Sequence, residues 1–399
     1  MSDIIIGRQQ ILDHELKIYA YELLFRGADF DIADPENGTR ATNQIITDTL
    51  LEVGLNNIVG SHKAFINFTT QNILEKTPLH LPKDRIVIEI LEDIKIDKKV
   101  IDNVRDFSNK GYIIALDDFI FTKEWQPLVE IADIVKIDVM AMSMPDIKAL
   151  IAKLKPFNVK CLAEKVETHT AFLQLEELGC DFFQGYFFSK PNLVEGKRIG
   201  VNQLAAIKLL TTISKAKVDF NEITAIIAQD VGLSYKLLHY INASFFGLPR
   251  QIQSIQHAIS CLGLKEVRRW TSIVTLASLS DKPTVILENA LICARMCEQI
   301  ALLLHENAEQ FFMIGMLAHI DGLLDIALAE ALKQLPLEEA IVNALLYKQG
   351  IAGETLKCVI DFEQWQISGE PFKNISKQQI GAIYLEAISW TEGVLNNIN

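Results

Sequence analysis

No pair among the six cysteines of this 399-residue chain has the spacing of a disulfide framework or a zinc-binding motif. Cys161, Cys180, Cys261 and Cys358 are scattered in apolar surroundings. Cys293 and Cys297 fall on one face of an expected helix and read as a core pair. Reduced, buried thiols in a cytosolic protein are the simplest account. No apolar run approaches the roughly 20 residues that a membrane-spanning helix needs. The start, Met1-Ser2-Asp3-Ile4-Ile5-Ile6, lacks the basic flank and long apolar stretch of a signal peptide. A soluble, cytoplasmic protein without a membrane partner is expected. Positive charge is also short: 38 Lys and Arg stand against 51 Asp and Glu, a formal net charge of -13. Such a chain is a poor non-specific binder of nucleic acid, and an anionic ligand would need local Arg, Lys or metal ions. There is no low-complexity tract and no evident repeat.

What is present divides into two halves. In the first, short apolar runs alternate with amphipathic stretches. Strands are expected at Ile18–Phe25, Ala64–Phe68, Ile86–Ile90, Ile113–Asp117, Ile134–Asp138, Val159–Ala163 and Phe182–Phe188. Helices are expected at Ala41–Val53, Lys98–Lys110, Asp146–Leu154 and Thr170–Leu178, with Gly111 and Gly179 at C-terminal caps. Alternation of this kind implies a parallel sheet with crossover helices. An open doubly wound sheet fits it, and so does a TIM-like (β/α) barrel. Polar residues at successive strand ends favour the barrel, since inward-facing residues there converge on one mouth. From about Val201 onward the patterns are helical, with Asp219, Ser234, Ser254 and Pro336 as capping or first-turn residues and Gly263 as a helix stop. The Pro- and Gly-containing segment Ser189–Gly200 is the best boundary, giving a barrel over 1–195 and an all-α domain over 196–399.

The strand-end residues carry the chemistry. Asn67, Glu89, Asp117, Lys136 with Asp138, and Glu164 end successive strands. Alternation places Val87 with Glu89, and Lys136 with Asp138, on common faces. Crowded carboxylates about 4 Å apart repel by several kcal/mol at intermediate dielectric. Either some stay protonated or they hold metal. Hard divalent ions such as Mg²⁺ or Mn²⁺ take this kind of oxygen donor, and two of them suit phosphodiester hydrolysis. Any one of these residues has a plainer explanation, as a helix cap or a turn. The set at matched strand ends does not.

The motifs resemble, in order, those of EAL-domain cyclic-di-GMP phosphodiesterases. Tyr21-Glu22-Leu23-Leu24-Phe25-Arg26 resembles the signature segment, with Leu23 in place of Ala. Ile66-Asn67-Phe68, Glu89-Ile90-Leu91-Glu92, Asp117-Asp118-Phe119, Lys136-Ile137-Asp138, Glu164-Lys165-Val166-Glu167 and Gln184-Gly185-Tyr186 follow. The resemblance runs from about Ile6 to Pro191. It implies Glu22, Asn67, Glu89, Asp117 and Asp118 as metal ligands and Glu164 as general base. It implies that Lys136 holds the attacking water or the phosphate, that Gln184 supports the site, and that Arg26 binds a phosphate of cyclic-di-GMP. Glu92, Asp138 and Glu167 would support these. The reaction implied is hydrolysis to linear pGpG.

Two departures stand out. Ile120-Phe121-Thr122-Lys123-Glu124-Trp125 replaces a Gly- and Ser-rich loop that in the family links dimer contacts to the Asp pair, and Lys165 replaces a glycine. Lys165 can pair with a carboxylate or point to solvent. Two expectations therefore stand, an active but differently regulated phosphodiesterase and a silent cyclic-di-GMP-binding or scaffold protein. A homodimer is compatible with either.

In the second half, Asp230–Gly247 and Ser254–Gly263 resemble the HDOD domain, a helical relative of HD phosphohydrolases. Its pairing with an EAL half resembles the YuxH-type EAL–HDOD signalling proteins. Contiguous His-Asp is absent, and His319-Ile320-Asp321 has the wrong spacing for that metal pair. His239, His257 and His305 read as structural. The resemblance implies a regulatory module with an unidentified protein partner. Phe245-Phe246 and Phe311-Phe312 are candidates for that contact, although core packing accounts for them more simply.

Overall fold

The computed structural model describes residues 4–27, 54–117, 119, 122–185, 227, 255–278, 284–324, 326–333, 335, 337–364 and 371–398. Two compact units divide at Lys190/Pro191. The expected elements Ala41–Val53 and Ser189–Gly200, the segment Asp230–Gly247, and Asp219, Ser254 and Pro336 lie outside the described residues.

Eight strands close the first unit into a barrel in sequence order. They are β1 (Ile4–Asp13), β2 (Ile18–Gly27), β3 (Lys63–Phe68), β4 (Ile86–Ile90), β5 (Ile113–Leu116), β6 (Ile134–Asp138), β7 (Lys160–Glu164) and β8 (Phe182–Gln184). Each expected strand is present within a residue or two wherever it is described. The all-parallel expectation needs correction. An additional first strand, β1, runs antiparallel to both β2 and β8, while β2 through β8 are mutually parallel. The β1–β2 turn is short, so the strands must form an antiparallel hairpin. Asp13 Oδ1 accepts from the amides of Glu15 and Lys17, both at 2.9 Å, and Leu16 takes a left-handed conformation at φ 58°.

Between the strands lie α1 (Leu55–Val59), α2 (Thr70–Leu74), α3 (Lys98–Asn109), α4 (Gln126–Val129), α5 (Met144–Leu154) and α6 (His169–Leu178). Their starts are fixed by side chains that satisfy first-turn amides, as N-caps should. Thr69, Asp97, Ser143 and Thr168 accept from Asn72, Val100, Asp146 and Ala171 respectively. Gly179 ends α6 at φ 96°.

Inside the barrel each strand gives one residue to an apolar layer: Ile11, Ala20, Phe65, Val87, Ala115, Ile134, Leu162 and Phe182. Every one is essentially sealed from water. Full burial of a large apolar side chain stabilises by about 1.5–3 kcal/mol, so this layer is a rigid floor. Side-chain alternation then sends the next inward residue of every strand to the level above.

In the second unit the described helices are α7 (Ile255–Ser278), α8 (Thr284–Leu303), α9 (Ala308–Leu317), α10 (Ile320–Leu324), α11 (Leu328–Lys333), α12 (Glu339–Tyr347), α13 (Gly350–Glu363) and α14 (Lys377–Ile398). Among the described residues of this unit no strand occurs beyond an isolated bridge between Phe372 and Ile375. Gly263, at φ 79° and ψ 156°, is non-helical and divides α7 into two helical segments, as the expected helix stop requires. Phe311 and Phe312 are buried and serve the core. His257 and His305 are exposed, so neither is a core histidine. A charged seam ties α7, α8, α9 and α14 together. Buried Glu298 pairs with Arg269 and, at 2.8 Å, with Arg295. Arg269 lies over the rings of Phe312 and Trp390, and Arg295 lies over Trp390. No described helix is long and apolar enough to cross a membrane.

One glycine in the barrel has no substitute. At Gly185, φ is 149° and an added Cβ would stand 2.1 Å from the carbonyl oxygen of Val166. The Val166 amide meanwhile donates to the Gln184 carbonyl at 3.0 Å. Gly185→Ala is therefore expected to destabilise the barrel by about 3 kcal/mol or more, through strain and a forced backbone shift. Hydrogen exchange on the β7 and β8 amides of the full chain checks this. Unchanged protection would contradict it.

Candidate active site

Above the apolar floor sits a polar layer, again one residue per strand. It comprises Gln9, Glu22, Asn67, Glu89, Asp117, Lys136, Glu164 and Gln184, each the inward neighbour of a floor residue. Register ties these residues together. Gln9 stands opposite Glu22, and Asn67 opposite Glu89. Asp117 lies just past the end of β5, anchored by its amide to the Ile90 carbonyl at 2.9 Å.

Lys136 is the hub. Its Nζ contacts Glu89 and lies 2.8 Å from Asp117 Oδ1, 2.8 Å from Glu164 Oε1 and 3.3 Å from Glu22 Oε2. The lysine side chain is 1% exposed and Glu89 is fully buried. Gln184 Nε2 donates to Glu22 Oε2 at 2.6 Å and to Gln9 Oε1 at 3.0 Å, which fixes Glu22 from the far side.

One ammonium cannot balance four carboxylates. Burial, aided by Glu22, pushes Glu89 well above the ordinary carboxylate range against the pull of Lys136. Burial likewise pushes Glu164 up to about 8. Burial works against the Lys136 ammonium, but Glu22, Glu89, Glu164 and Asp117 outweigh it and hold its pKa well above that of a free lysine.

The donor set fits hard divalent cations. It is oxygen-rich, and two of its buried oxygens, Glu89 Oε2 and Gln184 Oε1, have no hydrogen-bond partner. An unsatisfied buried polar atom costs about 1–3 kcal/mol unless something coordinates it.

Three expected supporting residues stand apart from the hub. Asp138 does not join the Lys136 cluster. Its Oδ1 accepts from the amides of Met140 at 2.8 Å and Ala141 at 3.2 Å, and its Oδ2 pairs with Lys165 at 2.5 Å. Burial opposes ionisation of Asp138, but these partners hold its pKa below the usual value. Glu92 and Glu167 are exposed on the loops after β4 and β7. Lys165 itself is exposed and left-handed at φ 56°, the geometry a glycine would take without strain. Arg26 lies on β2 with its side chain outside the described residues, and Asp118 lies outside them altogether. In the loop that departs from the family pattern, buried Phe119 meets Trp125 edge-on at 5.9 Å, and its amide donates to the Lys136 carbonyl at 3.3 Å. Ile120 and Phe121 lie outside the described residues.

Gln9 was not an expected site residue. Its signal is the alternation of Gln9 with Ile11 inside the run Ile4–Leu12, which becomes legible once that run is taken as a strand.

Removing the hub tests the charge balance. Lys136→Met is expected to cost about 3–5 kcal/mol in chelator, because it strands buried carboxylates. Added Mn²⁺ should recover more stability in the variant than in the unsubstituted chain, since the ion replaces the missing charge. Urea unfolding at stepped Mn²⁺ concentrations measures both. Equal Mn²⁺ responses would count against ion binding in this layer.

The EAL domain family matches residues 60–191 and the HDOD domain family matches residues 203–349. The uncharacterized protein YuxH of Bacillus subtilis (strain 168) is 30% identical over 405 residues, covering 98% of this chain and 99% of its own. Cyclic di-GMP phosphodiesterase CdgJ of Vibrio cholerae serotype O1 is 34% identical over 372 residues, covering 90% of this chain and 85% of its own. Among solved structures, an EAL domain protein from Listeria monocytogenes EGD-e aligns with 47% of this chain and 87% of its own at 21% identity and a TM-score of 0.37. With a whole-length relative at this identity and both domain families matched in order, the chain belongs to the family of proteins that join an EAL domain to an HDOD domain.

Proposed function

We propose that residues 1–195 form a metal-assisted phosphodiesterase that opens cyclic-di-GMP to linear pGpG in the cytoplasm. The helical residues 196–399 regulate it or recruit a protein partner. The observation that carries this reading is the buried, oxygen-rich layer around Lys136, with Glu89 Oε2 left unpartnered. The relative named a cyclic di-GMP phosphodiesterase, 34% identical over 90% of this chain, supports the choice of substrate.

In this reading Glu22, Asn67, Glu89, Asp117 and Asp118 hold two Mg²⁺ or Mn²⁺ ions. Bound there, the ions supply positive charge to the phosphate and lower the pKa of water. Glu164 accepts a proton from the attacking water. Glu164 borders the donor set and lies 2.8 Å from the Lys136 ammonium, which places it to take that proton. The water oxygen bonds to phosphorus and the bond from phosphorus to O3′ breaks. O3′ keeps the electron pair and takes up a proton, leaving a 5′-phosphate and a free 3′-hydroxyl. Lys136, equidistant from Glu164 and Asp117, steadies the water or a phosphate oxygen. Gln184 holds Glu22 in place, and Arg26 binds a phosphate through its planar fork. Glu92, Asp138 and Glu167 shape the surrounding loops.

The packing of Phe119 on Trp125 favours a second reading, binding without turnover, because this segment stands where the family has a pliable glycine-rich loop. Product analysis separates the two. Purified full chain with Mn²⁺ is expected to release pGpG, and Glu164→Gln to slow release by about 100-fold or more. Arg26→Ala should weaken ligand affinity in either case. Saturable binding with no pGpG establishes the second reading, and no binding at micromolar ligand rejects both.

A further inference from the structure

The second compact unit gathers three side chains that are remote in sequence. Cys293 lies on α8, His319 at the junction of α9 and α10, and Glu363 at the last residue of α13. One ligating atom from each lies within 4.8 Å of the other two. The cause is a close helix crossing. A Cβ on Gly315 would stand 2.6 Å from Ala294 Cα and 2.7 Å from the Cys293 carbonyl oxygen. The backbones of α8 and α9 therefore touch at the level of Cys293, and His319 follows one helical turn after Gly315. Cys293 is completely buried. His319 Nε2 is sealed from water and has no hydrogen-bond partner. Leaving such a nitrogen unsatisfied costs about 1–3 kcal/mol.

We propose that Cys293, His319 and Glu363 bind a borderline divalent metal ion of the zinc class. Sulfur, imidazole nitrogen and carboxylate oxygen together select such an ion over the hard cations that suit the barrel's oxygen layer. A thiolate and a carboxylate cancel the charge of a divalent ion, so the filled site is neutral in apolar surroundings. Cys297, one turn along α8, is hydrogen-bonded to Cys293. Burial pushes His319 down to about 4, which keeps the imidazole in its ligating neutral form, and pushes Glu363 up to about 8. Loading therefore expels one proton from the Cys293 thiol and one from the Glu363 carboxyl. Lys348 is the positive group that weighs against a cation here, and its Nζ is engaged by the Leu345 carbonyl at 2.8 Å. Glu363 lies beyond the residues matched by the HDOD family, so the ion would staple the C-terminal helices to that domain.

The test uses the full chain, stripped with chelator, kept reduced and titrated with Co²⁺. Thiolate bound to Co²⁺ absorbs in the near ultraviolet, and the barrel's polar layer contains no sulfur, so this band reports the new site alone. Co²⁺ titrated past the ions that the oxygen layer takes up should produce the band, and Zn²⁺ should abolish it by displacement. The band should persist in Cys261→Ser, whose thiol is exposed and remote from the cluster in sequence. It should vanish in Cys293→Ala. Should Cys293→Ala fold poorly, the near-isosteric His319→Gln and Glu363→Gln carry the assignment, each expected to weaken Zn²⁺ binding at least about tenfold. No band in the unsubstituted chain, a band that survives Cys293→Ala, or unchanged Zn²⁺ affinity in both Gln variants would overturn the proposal.

Discussion

An ammonium withdrawn from water is costly, and Lys136 bears that cost only because Glu22, Glu89, Asp117 and Glu164 close around it. The converse also holds, since without Lys136 those carboxylates could not share one buried layer. The arrangement needs a floor that keeps water out from below. That floor is the ring of apolar residues from Ile11 round to Phe182, two positions away from the polar layer on every strand. Fold and chemistry are therefore one constraint. The same alternation that closes the barrel core delivers eight polar side chains to its mouth, and their mutual charge is what a bound cation would relieve.

Most of the barrel was legible because the polar residues interrupt otherwise apolar β-branched runs at the strand period. In Ile86–Ile90 and Ile134–Asp138, Glu89 and Lys136 are conspicuous because no solvent-facing surface could explain them. β1 was not legible in the same way. Its middle, Gly7-Arg8-Gln9-Gln10, is polar at successive positions, and only tertiary packing makes sense of it. Arg8 is buried under the Tyr21 ring and donates to the Ile58 carbonyl at 2.5 Å, a partnership across 50 residues that no local pattern reveals. Asp138 misled for a related reason. It shares a face with Lys136 by alternation, but strand β6 ends there and the chain turns, so its carboxylate is claimed by turn amides and Lys165. The pairing of Cys293 with Cys297 as helix-face neighbours was equally local. The crossing at Gly315 that adds His319, and the placing of α13 that adds Glu363, are properties of the folded unit alone.

The acidity of the chain bears directly on how the barrel would recognise a dinucleotide. The formal net charge is -13, and the mouth concentrates carboxylates, so a doubly anionic ligand approaches an unfavourable field. Among the described residues near the mouth, both lysines are already engaged. Lys136 is shared among four carboxylates and Lys165 is paired with Asp138. Neither can neutralise a phosphate without first giving up a partner. In the proposed function the compensating charge comes from Arg26 and from cations held by the layer itself. Each divalent ion would both relieve the repulsion among Glu22, Glu89 and Asp117 and present positive charge outward. In the proposed function, metal and ligand binding are consequently linked, and by thermodynamic reciprocity each strengthens the other to the same degree. Lys165 stands at the rim of the same mouth, exposed and paired with Asp138. Freed from Asp138, its ammonium could turn toward an anionic ligand, while the left-handed backbone at Lys165 holds it to the rim. A substitution of glycine by lysine at this turn thus exchanges backbone ease for a charge at the entrance, on the loop that links β7, which carries Glu164, to the rest of the mouth.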